Sequence, residues 1–65
     1  MTMNQTKPPA QILREIQNRA QLGGCFVRER EGRFEVFRKT PARAVYLGSR
    51  SSLPGLRTFV NNVTR

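Results

Sequence analysis

Apolar residues recur along this chain with two different periods, and the switch between them marks the elements. Across residues 9–22, Ile12, Leu13, Ile16 and Ala20 return at helical spacing, while Gln11, Arg14, Glu15, Gln17, Asn18, Arg19 and Gln21 fill the opposite side. Pro8-Pro9 suits the start of this helix, because proline lacks a donor that the first turn leaves unpaired anyway. Gly23-Gly24 ends it, with the first glycine expected in the left-handed cap conformation.

The period then falls to two. Three antiparallel strands are predicted over residues 24–30, 33–39 and 43–48. Between the first two, Glu31-Gly32 is a two-residue hairpin turn, since glycine takes the positive φ that such a turn needs. Counting outward sets Arg30 against Arg33, Glu29 against Phe34, Arg28 against Glu35, Val27 against Val36, Phe26 against Phe37 and Cys25 against Arg38. Opposed residues share a face. One face therefore collects Cys25, Val27, Phe34 and Val36, with Glu29 and Arg38 at its margins. The other collects Phe26, Arg28, Arg30, Arg33, Glu35, Phe37 and Lys39. A four-residue loop, Lys39-Thr40-Pro41-Ala42, would set Val36 against Val45 and Phe34 against Leu47, leaving Ala44 beside Phe37 and Tyr46 beside Glu35. An odd loop would turn Val45 and Leu47 to the charged side.

Helical spacing resumes with Leu53, Leu56, Phe59, Val60 and Val63, behind a cap at Ser51 or Ser52 and with Pro54 in the first turn. Gly55 weakens that turn by roughly 1 kcal/mol relative to alanine. Each helix has one apolar stripe and the sheet has one aliphatic face. The expected fold is therefore α+β: helix-strand-strand-strand-helix, an antiparallel three-stranded meander with both helices on one face. Its core would be Ile12, Leu13, Ile16, Ala20, Cys25, Val27, Phe34, Val36, Val45, Leu47, Leu56, Phe59, Val60 and Val63. Residues 1–7 are polar and without periodicity, an expected flexible arm before a single domain over residues 8–65.

Charge changes the meaning of the second sheet face. Twelve Lys and Arg stand against four acidic residues, for a net charge of +8 and a pI near 11.6, the footprint of a nucleic-acid-binding domain. All but Lys7 and Lys39 of these cations are arginine, whose planar fork suits phosphate and guanine edges and stacks on bases. Phe26, Phe37 and Tyr46 lie among them on a face that no remaining element can cover, an apolar patch of the kind that marks an interaction site. The stretch Ser49, Arg50, Ser51 and Ser52, at the start of the last helix, would add backbone donors and hydroxyls for a phosphate.

Other chemistry finds little support. A 65-residue chain has little room for an enclosed catalytic cavity. With one cysteine and no histidine, neither a disulfide framework nor a zinc site can be assembled, and Cys25 reads as a small core residue. Nucleophile–base pairs, carboxylate clusters and phosphate-cradling glycine loops are missing from the sequence, so no enzyme activity, cofactor or metal is expected. No signal-peptide core or run of about 18 apolar residues appears, and the expectation is a cytoplasmic protein without membrane contact.

The run Gly32-Arg33-Phe34-Glu35-Val36-Phe37, a short turn, then Ala44-Val45-Tyr46-Leu47-Gly48 and a serine-capped helix resembles the three-stranded sheet plus helix of phage-integrase arm-binding domains and plant ethylene-response-factor DNA-binding domains. The likeness covers about residues 24–63. It implies a sheet that enters the major groove of double-stranded DNA with Arg and aromatic side chains on bases and phosphates. The helix before the first strand departs from that pattern, as does the absence of tryptophan. The element order is also similar to double-stranded-RNA-binding domains, but Glu31-Gly32 stands where they have a Gly-Pro-x-His loop, and Ser52-Leu53-Pro54-Gly55-Leu56-Arg57 where they have a lysine-rich helix start.

Two functions fit. The first is a DNA-binding module, of the kind found as a phage or plasmid accessory factor, with RNA as a second nucleic-acid ligand. Arg28, Arg30, Arg33, Lys39 and Glu35 would make groove contacts, Phe26, Phe37 and Tyr46 would pack on sugars or thymine methyls, and Arg43, Arg50 and Arg57 would hold flanking phosphates. The second is a protein-interaction module or inhibitor that turns the same face to an acidic protein or to its own copy.

Overall fold

The computed structural model describes residues 8–65, and the arm expected over residues 1–7 lies outside the described residues. Helix α1 (Pro9–Leu22) is followed by strands β1 (Cys25–Arg30), β2 (Arg33–Lys39) and β3 (Ala44–Arg50) and by helix α2 (Leu53–Val63). The strands form one antiparallel sheet in the order β1-β2-β3. α1 packs on β1 and on α2, and α2 packs on β3. The two helices thus lie side by side on one face, in the expected α+β arrangement, because each has a single apolar stripe to bury.

α1 begins where its prolines direct. The Pro8 carbonyl accepts from the Gln11 and Ile12 amides, and Ile16 and Ala20 turn into the core. Its end differs from expectation. Gly23 has φ −98°, and Gly24, at φ +80°, takes the left-handed conformation instead. Gly23 answers to space: a Cβ there would lie 2.4 Å from the Thr64 Cβ. The C-terminal end of α2 crosses directly over it.

The β1–β2 register is the one counted from the turn, from Arg30 opposite Arg33 to Cys25 opposite Arg38. Glu31 (φ 53°) and Gly32 (φ 75°) both take positive φ, the signature of a type I′ turn, whose twist matches that of the strands.

The β2–β3 register corrects the expected one. Lys39 pairs with Ala44, Arg38 with Val45 and Phe37 with Tyr46; beyond a bulge, Val36 pairs with Gly48, Glu35 with Ser49 and Phe34 with Arg50. The loop still has four residues, but it runs one residue later. Thr40 closes it: its amide and hydroxyl donate to the Arg43 carbonyl, and its hydroxyl accepts from the Arg43 amide at 3.1 Å. Leu47 becomes the extra residue of the bulge and packs against the core. Past it the alternation inverts. Gly48 faces the helices, where a Cβ would stand 3.0 Å from Phe59 Cζ, and β3 continues to Arg50 rather than ending at Gly48.

Ile16, Ala20, Cys25, Val27, Val36, Leu56 and Val60 are buried, with Ile12, Leu13, Phe34, Leu47, Leu53, Phe59 and Val63 packed around them. Val45 is the expected core residue that does not join. Its pairing with Arg38 carries it to the end of the sheet, where 37% of it is exposed. Arg38 itself reaches under the sheet and donates to the Val63 carbonyl at 2.9 Å, a cation at the end of α2 where the helix carbonyls concentrate negative charge. Ser52 is the N-cap, accepting from the Gly55 amide at 3.3 Å.

Candidate nucleic-acid interface

The face of the sheet away from the helices is built in rows across the strands. The first is Phe26, Phe37 and Tyr46, in direct register across β1, β2 and β3. The Phe26 and Phe37 rings stack with centroids 5.0 Å apart and planes 10° from parallel. Tyr46 meets Phe37 edge-on at 5.5 Å. With no element above them among the described residues, the rings shelter one another: both phenylalanines are half-buried, and Tyr46 remains 56% exposed. Cations complete the row, with Lys39 Nζ 5.8 Å from the Phe26 centroid and Arg28 Cζ 5.3 Å from that of Phe37.

The second row is Arg28, Glu35 and Ser49. Arg28 donates through Nη2 (3.0 Å) and Nε (3.3 Å) to the same oxygen, Oε1, of Glu35. The third row is Arg30 opposite Arg33, and Arg33 reaches back to donate to Ser49 Oγ through Nη2 (3.1 Å) and Nε (3.3 Å). Like charges directly opposed across a strand pair destabilise a sheet. Folding alone therefore gives no reason for two arginines there.

The face is polarised along the strands. Aromatic rings stand at the β2–β3 loop end and guanidiniums at the hairpin-turn end, with Lys39 and the exposed Arg43 closing the loop end. Lys39 and Arg33 are six residues apart on β2, or about 20 Å at roughly 3.3 Å per residue.

Eight of the residues expected at the interface thus share this face: Phe26, Arg28, Arg30, Arg33, Glu35, Phe37, Lys39 and Tyr46. Arg43 stands at its edge. Two others are elsewhere. Arg50 is on the helix side of the sheet, its guanidinium 4.3 Å from the Phe59 ring centroid. Arg57 lies on α2, lining a groove against α1 with Glu15, Ile16, Arg19, Val60 and Asn61. Ser49, expected in the turn before α2, is instead a member of the face, and only the unsigned bulge brings it there.

Among the described residues no group of three or more His, Cys, Asp or Glu could hold a metal ion. Cys25 is fully buried, its Sγ directed at the Gly23 carbonyl. No described helix is long and apolar enough to cross a membrane. In comparisons with protein-family models, curated proteins and solved structures, no match to this chain was found.

Proposed function

We propose that this protein binds double-stranded DNA by laying the outer face of its sheet across the major groove. The observation that carries this reading is the uncovered face itself, where a row of aromatic rings adjoins two rows containing Arg28, Arg30 and Arg33. Lys39 and Arg33, about 20 Å apart, suit the two backbones that flank a groove about 12 Å wide. Arg30, Arg33, Lys39 and Arg43 would take phosphates, and the exposed edges of Phe26, Phe37 and Tyr46 would rest on sugars or thymine methyls.

Two features favour duplex DNA over RNA. The stacked faces of Phe26 and Phe37 are turned to each other, whereas single-strand binders offer free ring faces to bases. The major groove of A-form RNA is too deep and narrow to be read by side chains. The test is a salt titration of binding to random duplex DNA. The logarithm of the association constant should fall with log salt at about −0.9 per phosphate neutralised, and Arg30→Ala with Arg33→Ala should make the slope shallower by about 1.8. Absence of duplex binding at low salt overturns the proposal.

Tyr46, 56% exposed on β3, supports a second reading, in which the same aromatic row meets an acidic protein or another copy of the chain. A mass by light scattering that rises with concentration and returns to the monomer value in Tyr46→Ala would favour self-association.

A further inference from the structure

Arg28 differs from every other cation of the outer face in being held from two directions. Glu35 takes its Nε and one hydrogen of Nη2, and the Phe37 ring lies beside it. Half of the Arg28 side chain is nevertheless open to solvent, at 54%, while Glu35 is exposed to 24%. A guanidinium carries five N–H donors in a fixed fork. With the Nε/Nη2 side on the carboxylate, the end formed by Nη1 and the second hydrogen of Nη2 points free.

Charge separates its role from that of its neighbours. Arg28 and Glu35 together sum to zero, so the pair adds little to the attraction for a polyanion, which comes from counterions released by uncompensated cations. What the pair retains is direction. A free end-on fork on a fixed plane is the arrangement that donates to both O6 and N7 of guanine, the commonest base-specific contact in the major groove.

Resting on the duplex-DNA reading above, we infer that Arg28 is a guanine-reading residue and that Glu35 is the positioning residue that fixes its fork. The protein then has sequence preference as well as affinity. Arg30 and Arg33 supply the salt-dependent attraction, and Arg28 supplies discrimination at one base pair.

Selection from a random duplex library, followed by anisotropy titrations against salt, tests this with the wild type, Arg28→Lys and Glu35→Gln. The wild type enriches guanine at one position. Arg28→Lys keeps the charge and the ion pair, so its salt slope is unchanged, but without the fork its preference for guanine falls by about 5- to 150-fold. Glu35→Gln releases a cation: binding to random duplex tightens and the salt slope steepens by about 0.9, while preference for guanine falls. A merely structural ion pair would move the thermal midpoint and leave the selected sequence unchanged. Duplex binding by the wild type without enrichment of guanine, or full preference in Arg28→Lys, overturns the inference and leaves the duplex reading standing. Absence of duplex binding by the wild type overturns the duplex reading beneath it.

Discussion

The two faces of this sheet divide their side chains in an order opposite to what folding alone favours. On the helix side the central positions are Cys25, Val27 and Val36, small and buried. On the open side the register places Phe26, Phe37 and Tyr46, each with far more surface to remove from water. A chain of this size has little core and would gain most by burying its largest rings. It packs Phe34 and Phe59 against that core but keeps these three outside, Phe26 stacked on Phe37 and Tyr46 edge-on to it, beside Lys39 and Arg28. The inner face accounts for the fold, and the outer face requires a further cause, which the proposed contact with a polyanion would supply.

The contrast can be broken first from the inside. Leu56→Ala, in the fully buried layer, should cost about 2–5 kcal/mol, most of the roughly 3–10 kcal/mol available to a domain of this length. Chemical denaturation should show a midpoint lowered by about half or more. Gly48→Ala should cost about 1–3 kcal/mol by driving a methyl into Phe59, seen as a lower midpoint in the same assay. Phe37→Ala sharpens the comparison from the other side. It should cost about 1–2 kcal/mol of stability yet weaken duplex binding about tenfold, whereas a core variant of equal stability loss, measured while folded, should bind as the wild type does. The smallest effect belongs to the turn. Glu31 occupies a left-handed conformation at φ 53°, and Glu31→Asn should raise stability by about 0.5–1 kcal/mol without altering duplex affinity.

Legibility in the sequence followed the tightness of the connections. A two-residue turn between Arg30 and Arg33 leaves one register open, so the Phe26–Phe37 pair and the Arg28–Glu35 pair could be counted out from Glu31-Gly32 alone. The helices were equally plain, because their stripes and the prolines at 8, 9 and 54 set their starts. Across the β2–β3 loop the count failed. The closure depends on a hydroxyl of Thr40 bonding to Arg43, and the bulge at Leu47 has no residue type that announces it. Val45, Ser49 and Arg50 were misplaced in consequence. The position of Arg57, on α2 beside α1, was open in the sequence, because helical spacing gives the buried stripe of α2 and not which side of the sheet its exposed residues attend.

The extra residue in β3 also bears on how this chain tolerates change over generations. Ala44 to Tyr46 and Gly48 to Arg50 follow opposite parities in one strand, so substitutions can adjust the seat of Phe59 and the hydroxyl beside Arg33 separately. Loss of the single codon for Leu47 would remove the bulge and let the strand alternate regularly, with Ser49 still opposite Glu35 and Arg50 still opposite Phe34, so this strand can change length by that one residue at the cost of a core contact and not of the outer face.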